Sequence, residues 1–336
     1  MKGYSLKRII AVLAVLTLCA AACLITVSFN SSADGEIVMN GAKKTGTIRI
    51  TEDVEELMSL SNYYVVVKAK QMAGSHYAYT DALAEVMSGD DLYVEWNFHA
   101  GSSLVLLSLM DNGDGNASVY ETELLGSKNG VIRDPDISAD GTKVLFSWKT
   151  ESSDDYHIYE LDMTDAKYPC TQLTFGSGHS DIEPKYLPNG NIVFSSNRDV
   201  QTVDCWHTTV CNNYVMNGDG TNIIRVGYDQ VHTTYPTVCS DGRVLYTRWD
   251  YNDRTQMWVQ GIFQMNPDGT NQTEVFGNNS NFPTTLLHTR EVEGEPGVYV
   301  SVVSGHHVPQ IGKLCLVNTN VGRNEKDSIK FINPDS

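Results

Sequence analysis

A chain of 336 residues with 41% apolar and 9% aromatic side chains can bury a sizeable core, which excludes a disordered protein. Its formal net charge of −17 becomes three units more negative without residues 1–29, so phosphate backbones and other polyanions are poor partners and no nucleic-acid partner is expected. Seven cysteines are present but no Cys-x-x-Cys, which removes support for zinc-ribbon and thioredoxin-like readings.

At the N-terminus Lys2, Lys7 and Arg8 precede a mostly apolar run from Ile9 to Phe29, and no acidic residue comes before Asp34. Residues 1–33 therefore read as a signal peptide or membrane anchor, and the protein as exported, periplasmic or on the cell surface. Three fates compete: cleavage at Ala20-Ala21-Ala22-Cys23, which resembles a lipoprotein site; cleavage after Ser31-Ser32-Ala33; and retention as an anchor. Membrane attachment would run through the N-terminus only. Beyond this segment Cys170, Cys205, Cys211, Cys239 and Cys315 make an odd set, in which Cys205 and Cys211 are spaced to close a local loop.

Glu52–Leu60 reads as a short helix and Thr80–Met87 as a second candidate, within a stretch, 40–89, that forms a cap or part of a blade. The rest of the chain, 90–336, is repetitive. Pro135-Asp-Ile-Ser-Ala-Asp140-Gly141 followed by Val144-Leu145-Phe146-Ser147 returns as Pro184 to Gly190 with Ile192-Val193-Phe194-Ser195. It returns again as Pro236 to Gly242 with Val244-Leu245-Tyr246-Thr247. With a fainter copy at Pro283, the prolines recur at intervals of 49, 52 and 47 residues.

Each phrase predicts a hairpin turned at Asp140-Gly141, Asn189-Gly190 or Asp241-Gly242, and a second strand pair follows it. Gly218-Asp219-Gly220-Thr221-Asn222 and Pro267-Asp268-Gly269-Thr270-Asn271 are nearly identical turns in that second pair. Four strands per period of about 50 residues predict an all-β fold, a β-propeller of about five four-stranded blades. A β-sandwich leaves the near-fixed spacing unexplained. No closing strand is evident before Ser336, so the ring is either incomplete or closed by a strand from residues 40–89.

The repeated phrase and the turn Met265-Asn-Pro-Asp-Gly-Thr-Asn271 resemble the TolB-like propeller repeats, a resemblance that implies binding of proteins, sugars or peptides. Leu245 to Arg254, Met265 to Thr273, Asn278-Asn279-Ser280 and Ser304-Gly305-His306-His307 are similar to the middle propeller domain of the hydrazine synthase alpha subunit and its relatives. That family attaches c-type haem through Cys-x-x-Cys-His, which this chain lacks, so no covalent haem is expected and haem chemistry does not carry over.

In a propeller the residues just before each inner strand gather at one mouth. Asp134, His179, Asp181, Glu183 and His232 should project there, with His288, His306 and His307 from the last unit. Imidazoles and carboxylates converging on a channel suit a divalent metal, with His179, His232, His306 and His307 as its ligands. Hydrogen bonding between blades uses the same groups and is the competing reading.

Arg248-Trp249-Asp250-Tyr251-Asn252-Asp253 leaves a strand as a polar aromatic segment of the kind that stacks on a sugar or grips a peptide. Trp206 raises the same prospect on a longer loop. The alternative for Arg248 and Asp250 is an ion pair between blades with Trp249 packed there. Asp111-Asn-Gly-Asp-Gly-Asn116 reads as a hairpin turn, because Gly113 stands where a calcium loop needs a side-chain oxygen.

No Gly-x-Ser-x-Gly elbow, Walker loop or His-Glu-x-x-His pair occurs. The first functional reading is thus a binding or scaffold module for a protein or carbohydrate ligand. The alternatives are a metal-dependent lyase or hydrolase acting on acidic carbohydrate, and a haem-free subunit of a redox assembly.

Overall fold

The structure, a computed structural model, describes residues 27–28, 37, 39–60, 63–70, 85–86, 93–94, 98–199, 201–203, 209–250, 259–277, 279–280, 282–305 and 312–332. Most of residues 1–33, together with Trp206, His306 and His307, lie outside the described residues. Among those described, no helix is long and apolar enough to cross a membrane. The chain divides into two compact units, residues 1–72 with 99–175, and residues 73–98 with 176–336.

In the first unit β1 (Val27–Ser28), β2 (Lys43–Arg49) and β3 (Tyr63–Ala69) are the first strands, and α1 (Glu52–Leu60) links β2 to β3. Thr51 caps α1: its hydroxyl accepts from Val54 N at 3.4 Å. The aromatic and β-branched run Tyr63-Tyr-Val-Val-Val67 favours a strand buried on both faces. The stretch predicted as a second helix instead contains β4 (Glu85–Val86), paired with β5 (Tyr93–Val94), and its other residues lie outside those described.

Next come β6 (Ser102–Asp111) and β7 (Asn116–Ser127), giving a sheet in the order β1-β3-β6-β7-β2. Residues from the 40–89 stretch are therefore built into a blade-like sheet. Tyr64, Val66, Val105, Leu107 and Leu109 fill one face under Val54 and Met58 of α1, while Val65, Val67, Leu104 and Leu106 pack on Ile132, Val144 and Phe146 of the next sheet. The turn at Asp111–Asn116 is a hairpin connection whose Asp111 and Asp114 carboxylates accept from Gly113 N and Asn116 N.

The second sheet is β8 (Val131–Ile137), β9 (Lys143–Lys149), β10 (His157–Asp162) and β11 (Cys170–Gln172), antiparallel and in sequence order. The second unit repeats it. Its sheets are β12 (Asp181–Tyr186), β13 (Ile192–Ser196), β14 (Asn212–Met216) and β15 (Ile224–Arg225); then β16 (Thr233–Val238), β17 (Val244–Trp249), β18 (Gln260–Met265) and β19 (Thr273–Phe276). The last is β20 (Thr285–Glu291), β21 (Val298–Ser304), β22 (Lys313–Asn318) and β23 (Ile329–Phe331), joined to its predecessor by one parallel pairing, Gln260 with Thr285. These four-stranded antiparallel sheets are propeller blades.

The repeated turns close as their residues require. Gly141, Gly190 and Gly242 have φ of 73°, 83° and 82°, where a side chain would be strained, and each donates its N–H back across the turn. Asp140, Asp219 and Asp268 accept from the backbone N–H and hydroxyl of the threonine two residues on; these bonds, preceded at Asp140 by the stronger one from the Ser138 hydroxyl, hold each carboxyl below the usual range.

The repeated proline marks a bulge. In β8, β12, β16 and β20 two residues face one on the neighbouring strand: Asp134-Pro135 opposite Phe146, Glu183-Pro184 opposite Phe194, Tyr235-Pro236 opposite Tyr246, and His288-Thr289 opposite Ser301. A residue without an N–H fits where the ladder is interrupted. The fourth equivalent is thus Thr289 and not Pro283; lacking the proline, the last copy gave the repeat no anchor.

Behind the bulges sit buried hydroxyls from the second strands. Ser195 Oγ donates to Glu183 Oε2 at 2.9 Å, Thr247 Oγ1 to Leu286 O at 2.8 Å and Ser301 Oγ to Leu287 O at 3.0 Å. Ser195→Ala should lower stability by about 1–3 kcal/mol, because a buried carboxylate loses a donor. Urea unfolding measures this, and an unchanged midpoint would show that the hydroxyl does not hold the bulge.

Candidate functional site

The first residue of each bulge lies in the left-handed region: Asp134 at φ 55°, Glu183 at 60°, Tyr235 at 54° and His288 at 50°. Such a conformation costs roughly 1–3 kcal/mol for a residue with a Cβ, so each must be held from outside. In the first unit the Asp134 carboxylate accepts from Arg133 Nε at 2.7 Å. In the second, Glu183 Oε2 also accepts from Tyr235 N at 2.6 Å, and the Tyr235 ring lies 4.1 Å from the exposed imidazole of His288. Three successive blades are thereby tied bulge to bulge along their inner edge.

At the end of the second unit where the inner strands begin, charges are paired across loops and strand ends. Arg198, leaving β13, donates from Nη2 to both oxygens of buried Asp181 at 2.8 Å and lies over Phe194 and Tyr214. Asp199 accepts from the Tyr214 hydroxyl and pairs with Arg225 Nη1 at 2.9 Å. Arg248 Nε lies 3.2 Å from Asp229 Oδ1 and 3.0 Å from Asp250 Oδ1, with its guanidinium over the Phe263 ring. Burial raises the Asp229 carboxyl above the usual range while Arg248 pulls it down.

Tyr228 stands beside this network and is 73% exposed. The Arg225 guanidinium lies 4.8 Å from its ring centroid, and its hydroxyl donates to Arg225 O at 3.1 Å, so the ring is pinned while one side stays open to solvent. Asn212 clamps the following residue, its side chain bonding both N and O of Asp229. Sequence reasoning missed Tyr228, Arg225 and Asp229. The available signal was an aromatic following Gly227 outside any alternating run, just before a repeated strand.

Of the predicted ligand-binding residues, Arg248 and Asp250 are brought together as an ion pair with Asp229. Trp249 is 2% exposed and stacks on His232 with ring centroids 5.7 Å apart. The predicted metal residues His179 and His232 both precede inner strands, β12 and β16, at the same end. His232 is buried, and its Nδ1 accepts from Cys211 N at 3.1 Å. Among the described residues no three His, Cys, Asp or Glu side chains converge as a metal site. Cys211 is a buried free thiol, and Cys205, with which it was expected to close a loop, lies outside the described residues.

No family model matches the chain, and no curated protein does. The fold is that of a β-propeller resembling the TolB-like class. Among solved structures it is similar to Kuenenia stuttgartiensis hydrazine synthase, at 15% identity and a TM-score of 0.59, over 80% of this chain and 38% of that one. It is also similar to a putative TolB from Agrobacterium tumefaciens, at 15% identity and a TM-score of 0.48, over 69% and 76%, and to a nidogen/laminin complex, at 14% and 0.45, over 66% and 73%. The chain thus spans well under half of the hydrazine synthase chain, and the likeness is one of fold.

Burial pushes the His232 pKa down to about 3. The unfolded imidazole titrates near 6.5, so between those values the unfolded chain binds a proton that the folded one refuses. The stability present above about pH 6.5 should therefore fall toward pH 3 by about 1.4 kcal/mol per pH unit from this group. Carboxylates with lowered pKa values act in the same direction in wild type and variant alike. Urea midpoints across this range should give a flatter acid limb for His232→Gln, and parallel limbs would refute the assignment.

Proposed function

We propose that this chain is an extracytoplasmic binding module whose second unit takes a neutral carbohydrate at the end where its inner strands begin. The observation that carries this reading is Tyr228, an exposed aromatic ring pinned by Arg225, which pairs with Asp199, and followed in the chain by Asp229, which pairs with Arg248. A pyranose offers an apolar face to such a ring and hydroxyls that bridge carboxylate and guanidinium groups. Each guanidinium here already faces a carboxylate, and the chain is strongly acidic, so an uncharged sugar fits better than a polyanionic one. Export is supported by the basic N-terminus followed by its apolar run.

Glycan-array screening followed by calorimetry tests the proposal. A neutral oligosaccharide should bind, and Tyr228→Ala should weaken it about tenfold or more while changing stability by no more than about 0.5 kcal/mol. Retention of peptides but no glycan, or equal affinity in the variant, would reject it.

A further inference from the structure

In the first unit the ends of β3 and β7 and the start of β6 enclose an open cleft of about 550 Å³. Lys68, Lys70 and Lys128 line it, against one carboxylate, Glu123. This is unusual company in a chain with a net charge of −17. Lys68 is tied to Glu121 at 2.7 Å, and Glu123 accepts from Ser103 Oγ at 2.8 Å. Neither Lys70 nor Lys128 takes part in an ion pair among the described residues, and both are exposed.

The floor supplies donors of another kind. Ser102 and Ser127 face each other across β6 and β7 and are both buried. Ser102 Oγ accepts from Ile132 N at 2.7 Å and Ser127 Oγ from Trp148 Nε1 at 2.8 Å. Each oxygen is thus occupied as an acceptor, which leaves its own hydrogen to donate. Gly101, at φ 106°, and Gly126 keep side chains off the rim; a Cβ on Gly126 would approach Glu123 Oε1 to 3.0 Å.

From this geometry we infer that the cleft binds a tetrahedral oxyanion, a phosphoryl or sulfuryl group. Ammonium groups act as point charges that surround such an anion, whereas the planar fork suited to a carboxylate comes from arginine, and the cleft has none. A bare oxyanion fills only a fraction of the volume, so the site has room for the molecule that carries the group.

The test is calorimetric titration of the full protein with inorganic phosphate, sulfate, glucose 1-phosphate and acetate, with phosphorus NMR line broadening as a second readout. Phosphate and sulfate should bind saturably with a dissociation constant on the order of 1 mM, and added salt should weaken them. Acetate should not compete. Tighter binding of glucose 1-phosphate than of phosphate would identify a phosphate ester as the ligand, and the reverse order a free oxyanion; both support the site. The exposed double variant Lys70→Gln/Lys128→Gln should bind about tenfold more weakly or worse, since each ammonium contributes about 1 kcal/mol at solvent dielectric. Absence of saturable binding, equal binding by the double variant, or competition by acetate as strong as by sulfate would overturn the inference.

Discussion

Two residues of each inner strand oppose one residue of its neighbour at Asp134-Pro135, Glu183-Pro184, Tyr235-Pro236 and His288-Thr289, and the geometry of the blades follows from that mismatch. The first residue of each pair must adopt a left-handed conformation, and three of the four second residues are prolines that need no ladder partner. Strain of this size persists only where neighbours over-determine it. Ser195 and Tyr235 N supply that restraint for Glu183, and the rings of Tyr235 and His288 meet one blade further on. One local irregularity thus fixes both the bend of the strand and part of the contact between blades.

Once the bulge fixes where each inner strand begins, the preceding loops bring their charges together in pairs. Asp181 with Arg198, Asp199 with Arg225, and Asp229 and Asp250 with Arg248 each join a loop to a strand end. Partly buried carboxylates need such partners, because an uncompensated charge in a low-dielectric setting is costly. The result is a set of charges balanced in pairs, one of which, Arg225 with Asp199, also holds the Tyr228 ring. The first unit shows the opposite balance, with Lys70 and Lys128 in no ion pair among the described residues beside two buried serines.

The Pro-to-Gly phrase, the Asp-Gly turns and the Glu52–Leu60 helix were legible in the sequence because each depends on contacts within a few residues: turn closure at positive φ, a missing N–H, a capped first turn. Repetition then implied the blade, since units of this kind bury their faces only by stacking. Long-range consequences were not legible. The register of the last blade rests on pairing between Leu287 and Val302, and no local signal near Thr289 replaces the lost proline. Whether Trp249 meets solvent or His232 depends on a residue seventeen positions earlier, just before the strand that begins at Thr233. Tyr228, Arg225 and the lysine cleft gain their meaning from neighbours far along the chain, and only tertiary packing sets which charges meet and which stay unpaired.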